Sequence, residues 1–328
     1  MLAEQRAAVL PPAIIFVPGM KPKPPPPQHR HEVWRCLLEG IRRVDPAFGA
    51  VLGHHEDILE LAAWTHLFYD EFRDIGLDQP SIEAALAQPA PTEDDRREAR
   101  SIRNRMLRAF YLMGDMVPFL IPRLAGENMR VTLGDVRRYA RNEDNIGRSI
   151  RRNLRLPLRK AWHSHRKVLL IGHSLGSVIA WDTLWEMSRV DGVGGHVDLF
   201  LTIGSPLGQN VIQRNLKGAR EHGRRRYPSN VRHWANVSAV GELTALDHQF
   251  ANDYAEMLRY GLVETLVDFR VYTHYRQDGD LLVHSEYGYL LATETATLIG
   301  EFLKSHWPQE DAARAAPPAA GQLTTSVE

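Results

Sequence analysis

A serine flanked at two residues' distance by glycines, Gly172-His173-Ser174-Leu175-Gly176, is the part of this chain best suited to chemistry. The four residues before it, 168–171, are all apolar, as expected of a buried parallel strand. After it, Val178, Ile179, Trp181, Leu184 and Trp185 recur at helical spacing. The pattern is strand, sharp turn, helix, with Ser174 at the corner. Gly172 and Gly176 leave room for strand and helix to approach, and the strained turn lifts the hydroxyl clear of the sheet. The helix start aims backbone N–H groups at the space above it, where an oxyanion would form. Such a glycine-spaced serine alone arises by chance in on the order of one chain in ten of this length. Between an apolar strand and an amphipathic helix it is far rarer. The chemistry expected is nucleophilic attack by a serine.

Other polar clusters read differently. His54-His55-Glu56-Asp57 resembles a metal site by composition, but adjacent residues point in different directions, so no metal site is expected. Ser205 lacks flanking glycines and precedes Pro206, so it reads as structural. His29, His31, His163 and His165 read as solvated or non-catalytic. Arg148, Arg151, Arg152, Arg155 and Arg159 surround an apolar ladder of Ile146, Ile150, Leu154 and Leu158, which reads as a solvated helix face. Arg224-Arg225-Arg226 reads as a solvated loop.

The wider pattern resembles the α/β-hydrolases of the lipase and esterase type. Besides the elbow, the resemblance is carried by Phe16-Val17-Pro18-Gly19-Met20, by Leu201-Thr202-Ile203-Gly204-Ser205-Pro206-Leu207 and by Asp280-Leu281-Leu282-Val283-His284-Ser285. It spans residues 13–304. It implies an α/β-hydrolase fold: a mostly parallel central sheet, helices on both faces and an inserted helical cap. It also implies a triad in the order nucleophile, acid, base: Ser174, then an acid, then His284. The backbone N–H groups of Met20 and Leu175 would form the oxyanion hole. The family pattern near the acid resembles Trp-x-Asn followed by an aspartate. Trp234 and Asn236 match it, and the acid falls at Glu242, with Asp247 as the alternative. The family often has histidine where Pro18 stands, a change that leaves a backbone donor intact.

The elements that must position these residues follow in order. Strands are expected at 13–17, near 58–64, at 168–171, 197–203, 231–237 and 266–272. Helices are expected around 33–41, 146–158, 178–185 and 287–302. Residues 1–64 begin the hydrolase domain, 65–130 form the helical insertion, 131–304 complete the domain, and 305–328 form a disordered tail. Within the insertion, Thr92-Glu93-Asp94-Asp95 suits a helix start, and the Met- and aromatic-rich stretch 102–121 suits an acyl pocket or core packing. Residues 21–27, rich in proline, are expected to be extended.

Composition bounds the rest. Among 328 residues, 40 are Lys or Arg and 40 are Asp or Glu, so no net field draws the chain to nucleic acid. One cysteine, Cys36, excludes an internal disulfide. No run of 18 apolar residues predicts a transmembrane helix, and Glu4-Gln5-Arg6 interrupts any signal-peptide pattern, so a cytoplasmic protein is expected. The expected activity is hydrolysis of a carboxylic ester, small or lipid-like, through an acyl-enzyme and without metal or organic cofactor. Acyl transfer by the same residues, or a non-catalytic binding or scaffold role for the fold, are the alternatives. Oligomeric state is not readable from the sequence.

Overall fold

The computed structural model describes residues 10–101, 138–139, 141–242 and 249–308. Asp247, the stretch 102–121 and most of the tail therefore lie outside the described residues.

Six strands form one parallel sheet: β1 (Ala13–Val17), β2 (Leu59–Leu61), β3 (Val168–His173), β4 (Val197–Ile203), β5 (Val231–Ala239) and β6 (Thr265–Val271). Their order is β2-β1-β3-β4-β5-β6, and each neighbouring pair is parallel. The central strands are apolar on both faces, because helices cover both. Ile15, Leu170, Phe200 and Trp234 pack into one hydrophobic cluster, while Ile14, Phe16, Ile171 and Leu201 pack into the other. Burying one such Leu or Ile side chain contributes roughly 1.5–3 kcal/mol.

Helix α1 (Pro26–Val44) lies on the second cluster through Val33, Trp34, Leu37 and Ile41. It begins inside the proline run expected to be extended. Pro26 and Pro27 occupy its first turn, where a missing N–H costs nothing. Helix α2 (Pro46–Leu52) follows, and β2 keeps only three of the residues expected near 58–64. Helices α3 (Gln79–Ala87) and α4 (Glu93–Ala99) come next. Thr92 and Asp95 cap α4 reciprocally, as the sequence suggested, while Ile82 and Ala85 of α3 join the second core cluster.

Helix α5 (Ile146–His163) and helix α6 (Leu175–Trp185) cover the first cluster. The solvated reading of α5's arginines fails for Arg151. It is buried, with Nε 3.0 Å from Glu186 Oε2. The single helix expected at 287–302 is two, α7 (Glu286–Leu291) and α8 (Thr293–Ser305). Ala292 between them is extended at φ −69°, ψ 135°. The apolar periodicity runs through the break, because both helices pack on the same cluster.

The order of the strands has one consequence for the site. From β1 the chain moves to the β2 edge, and later returns to the opposite side of β1 as β3. The helices after β1 and β3 therefore lie on opposite faces, and the ends of these two strands open a crevice.

The β4–β6 end is tied by a buried polar chain. Trp234 Nε1 donates to Thr202 Oγ1, which donates to Asn236 Oδ1, and Asn236 Nδ2 donates to Asp268 Oδ1, at 3.1, 2.9 and 2.9 Å. Trp234 also packs among Trp181, Phe200, Phe250 and Tyr254. Replacing Trp234 by Ala is expected to cost about 3–5 kcal/mol of unfolding free energy. A denaturant titration of wild type and variant checks this.

Candidate active site

Ser174 is the hinge between β3 and α6, at φ 51°, ψ −127°. This is a left-handed φ that a non-glycine residue adopts only when its surroundings impose it. The surroundings are very close. A Cβ on Gly172 would stand 2.7 Å from Ser177 Cα, and one on Gly176 would stand 2.2 Å from the Val17 carbonyl oxygen. Both glycines are there because strand, helix and the end of β1 converge. The Ser174 N–H is spent on the Ile203 carbonyl, which leaves the side chain to face the crevice.

His284 arrives from the far end of the chain. After β6, strands β7 (Arg276–Gln277) and β8 (Asp280–Leu281) pair as a hairpin. Its two turn residues, Asp278 and Gly279, both have positive φ, at 53° and 85°. This is the geometry of a two-residue hairpin turn. The chain then passes through His284 into α7. His284 Nε2 lies 2.9 Å from Ser174 Oγ, and its Nδ1 lies 2.9 Å from Glu242 Oε2. A carboxylate only accepts, so Nδ1 carries the proton and Nε2 is left to accept from the serine hydroxyl.

Glu242 sits in the turn after β5, where its N–H bonds the Ala239 carbonyl and Gly241 adopts φ 89°. A Cβ at Gly241 would meet the Ala99 carbonyl oxygen at 2.6 Å. The Glu242 side chain is only 2% exposed, against 38% for His284. Tyr289, buried on α7, donates its hydroxyl to Glu242 Oε2 at 3.3 Å and accepts the Ala239 N–H at 2.8 Å. Burial pushes the Tyr289 phenol well above its ordinary range, so it stays a neutral donor. Glu242 is brought to His284, and Asp247, the other candidate acid, lies outside the described residues.

The two expected oxyanion donors belong to the residue after Ser174 and to the residue after Gly19. Leu175 is the first residue of α6, so its N–H has no carbonyl a turn behind it. Met20 follows Gly19, where an added Cβ would stand 3.0 Å from Ser174 Cβ. The loop carrying Met20 is pinned on both sides: Trp64 Nε1 donates to the Pro18 carbonyl at 2.8 Å, and the Lys21 N–H donates to the Tyr69 hydroxyl at 3.0 Å.

Ser205 is fully buried, its hydroxyl bonded to that of Ser177 at 2.6 Å and accepting from the Leu207 N–H, a structural arrangement. Glu56 pairs with Arg30 rather than with the neighbouring histidines. His55 stacks edge-on against Trp307. Among the described residues no cluster of His, Cys, Asp or Glu is arranged to hold a metal ion, and no helix is long and apolar enough to cross a membrane.

The reading of His29 as solvated is wrong. It is buried in α1, and its Nε2 donates to Glu286 Oε1 at 2.7 Å. Lys23 Nζ donates to the same oxygen at 2.8 Å. The other carboxylate oxygen, Oε2, is 3.0 Å from His173 Nδ1, at ion-pair distance but out of line for a hydrogen bond. His173 Nε2 faces the His284 carbonyl oxygen at 2.9 Å. Sequence reasoning missed this cluster. The signal was present, since His173 adjoins Ser174 and Glu286 lies two residues past His284, but local spacing could not show that they meet.

No protein-family model, no curated protein and no solved structure matches this chain.

The Glu286 charge has a measurable consequence. Burial opposes it, yet Lys23, His29 and His173 together hold the carboxyl well below the ordinary carboxylate range. A carboxyl depressed in the folded state stabilises the fold above its unfolded value, about 4.3, and loses that contribution as pH falls toward its folded value. Glu286→Gln is therefore expected to flatten the acid limb of stability below about pH 4.5. Thermal melts from pH 7 down to pH 3 measure this. A variant that loses stability with acid as steeply as wild type would contradict it.

A second expectation concerns the elbow. Gly176→Ala places a methyl group against the carbonyl oxygens of Val17 and Pro18, at 2.2 and 2.6 Å. The overlap with rigid backbone should lower the melting temperature by several degrees, about 2–4 °C per kcal/mol lost in a domain of this size. A melting curve unchanged from wild type would show that the helix start can move aside.

Proposed function

We propose that this chain is a serine hydrolase of the α/β-hydrolase type that cleaves carboxylic esters through an acyl-enzyme. The observation that carries the reading is the continuous relay Ser174–His284–Glu242, with two contacts of 2.9 Å. It lies at the ends of the strands that open the crevice. The parallel sheet and the strand–serine–helix turn support the same reading.

The chemistry follows from the groups present. His284 Nε2 takes the Ser174 proton as Oγ attacks the acyl carbonyl carbon. The carbonyl π electrons move to oxygen, where the N–H groups of Met20 and Leu175 stabilise the developing charge. Loss of one such donor typically costs about 3–4 kcal/mol in the transition state. Glu242 holds the ring in its tautomer and stabilises the imidazolium. The intermediate collapses, the C–O bond to the leaving alcohol breaks, and His284 returns its proton to that alcohol. Water, deprotonated by His284, then releases the acid and restores Ser174. Attack on the acyl-enzyme by an alcohol or amine in place of water, its proton passing to His284, would make the same site an acyltransferase. Glutamate reaches one methylene further than aspartate, and from the turn at Gly241 it meets His284 Nδ1 at 2.9 Å.

A fluorophosphonate probe with mass-spectrometric mapping tests the reading. Wild type should be modified once, on Ser174. Ser174→Ala should lose both labelling and ester turnover while keeping its melting temperature within a few degrees. Glu242→Gln should slow labelling by orders of magnitude, and Asp247→Asn should not. Full ester turnover by Ser174→Ala would sink the proposal, and collapse in Asp247→Asn alone would reassign the acid.

A further inference from the structure

Glu286 is a buried carboxylate, 3% exposed, that acyl transfer does not use. It and its partners come from three segments that carry the site. Lys23 lies in the passage between β1 and α1 that also carries Met20, and His29 lies in the first turns of α1. His173 is the residue before Ser174. Glu286 itself begins α7, two residues after His284. We propose that the Glu286 carboxylate is the hub that holds these three segments in register, and that His173 is a positioning residue acting through the main chain of His284. This rests on the acyl-transfer reading of Ser174.

The tautomer argument supports it. The His284 carbonyl can only accept, so the contact at 2.9 Å requires a proton on His173 Nε2. Glu286 Oε2 stands on the other edge of the ring, 3.0 Å from Nδ1, so the ring is held between the carboxylate and the His284 carbonyl. The two imidazoles lie 4.9 Å apart and tilted by 40°, so any rotation of His173 is also felt by the ring of His284. Gly19 closes the arrangement: a Cβ there would stand 2.9 Å from His173 Nδ1, so the oxyanion loop rests on the same ring.

Energetics point the same way. Burying a carboxylate carries a desolvation cost of several kcal/mol that an apolar residue of the same volume would not. What the charge supplies instead is direction, because hydrogen bonds fix orientation and apolar contacts do not. Attack by Ser174 depends on orientation: a displacement of about 1 Å can cost about 100-fold in rate. The His284 main chain is held to the elbow by the His173 contact, and it sits on a loop rather than within a helix or strand.

Three variants test the hub. His173→Met fills a similar volume without a donor. His173→Gln restores a donor. Glu286→Gln keeps the shape and removes the charge. Each is assayed with p-nitrophenyl acetate for kcat and KM separately, for fluorophosphonate labelling rate and for thermal unfolding. His173→Met is expected to lose about 100-fold in kcat with KM changed by less than about twofold. His173→Gln is expected to recover most of that loss, and Glu286→Gln to fall between. A folded His173→Met with wild-type kcat, or a His173→Gln no better than Met, would overturn the proposal. Should His173→Met fail to fold, Glu286→Gln decides alone: lowered kcat at constant KM supports the hub, and unchanged kcat overturns it. The two readings fail separately. Wild type that never labels at Ser174 removes the acyl-transfer reading and the hub with it, whereas wild type that labels beside a fully active His173→Met removes only the hub.

Discussion

The close approach of the α6 N-terminus to the ends of β1 and β3 is the constraint on which the rest of the structure depends. Gly172 and Gly176 permit it, and the carbonyls of Val17 and Pro18 press against the helix start. That contact forces Ser174 into its left-handed conformation. It also brings Gly19, in the loop after β1, so close to Ser174 that an added Cβ would stand 3.0 Å from the serine's own. The strain is sustained by the sheet below, whose central strands are buried on both faces by the two core clusters.

Two carboxylates are buried beside this turn, and they are handled differently. Glu242 faces His284 Nδ1 and the neutral hydroxyl of Tyr289. Glu286 faces Lys23, His29 and His173, so its charge is met mainly by cationic or protonatable groups. The first sets the tautomer of a ring that touches the serine. The second sits behind the first, where it meets backbone-bearing segments rather than reacting atoms. His173 and His284, tilted against each other with centroids 4.9 Å apart, each face one of the two carboxylates.

Much of this was legible in order along the chain. The apolar runs at 168–171 and 197–203 marked buried strands, because strands covered on both faces lack alternation. The glycine spacing marked the elbow, because only a missing Cβ allows that approach. The less legible parts have physical reasons too. The break at Ala292 is invisible because α7 and α8 bury the same side, so the apolar period continues across it. The helix start at Pro26 is masked because proline fits both an extended run and a first helical turn. His29 looked solvated among charged neighbours, and Arg151 looked like one of five exposed arginines. Each is buried because a distant carboxylate, Glu286 or Glu186, lies over its face of the helix.

The sequence by itself determined the class of the sheet and the glycine-flanked turn that carries Ser174. These are local matters, decided by side-chain volume, period and glycine placement within about 20 residues. How Glu242 comes to reach His284, and which groups stand behind the two histidines, only the tertiary structure decided. Ser174, Glu242 and His284 are separated by more than 40 residues at each step, and Glu286 gathers partners from residues 23 and 29 near the start of the chain and from residue 173 in its middle. Contacts of that kind depend on where the crossovers deliver each strand end, and no local pattern of residues encodes that position.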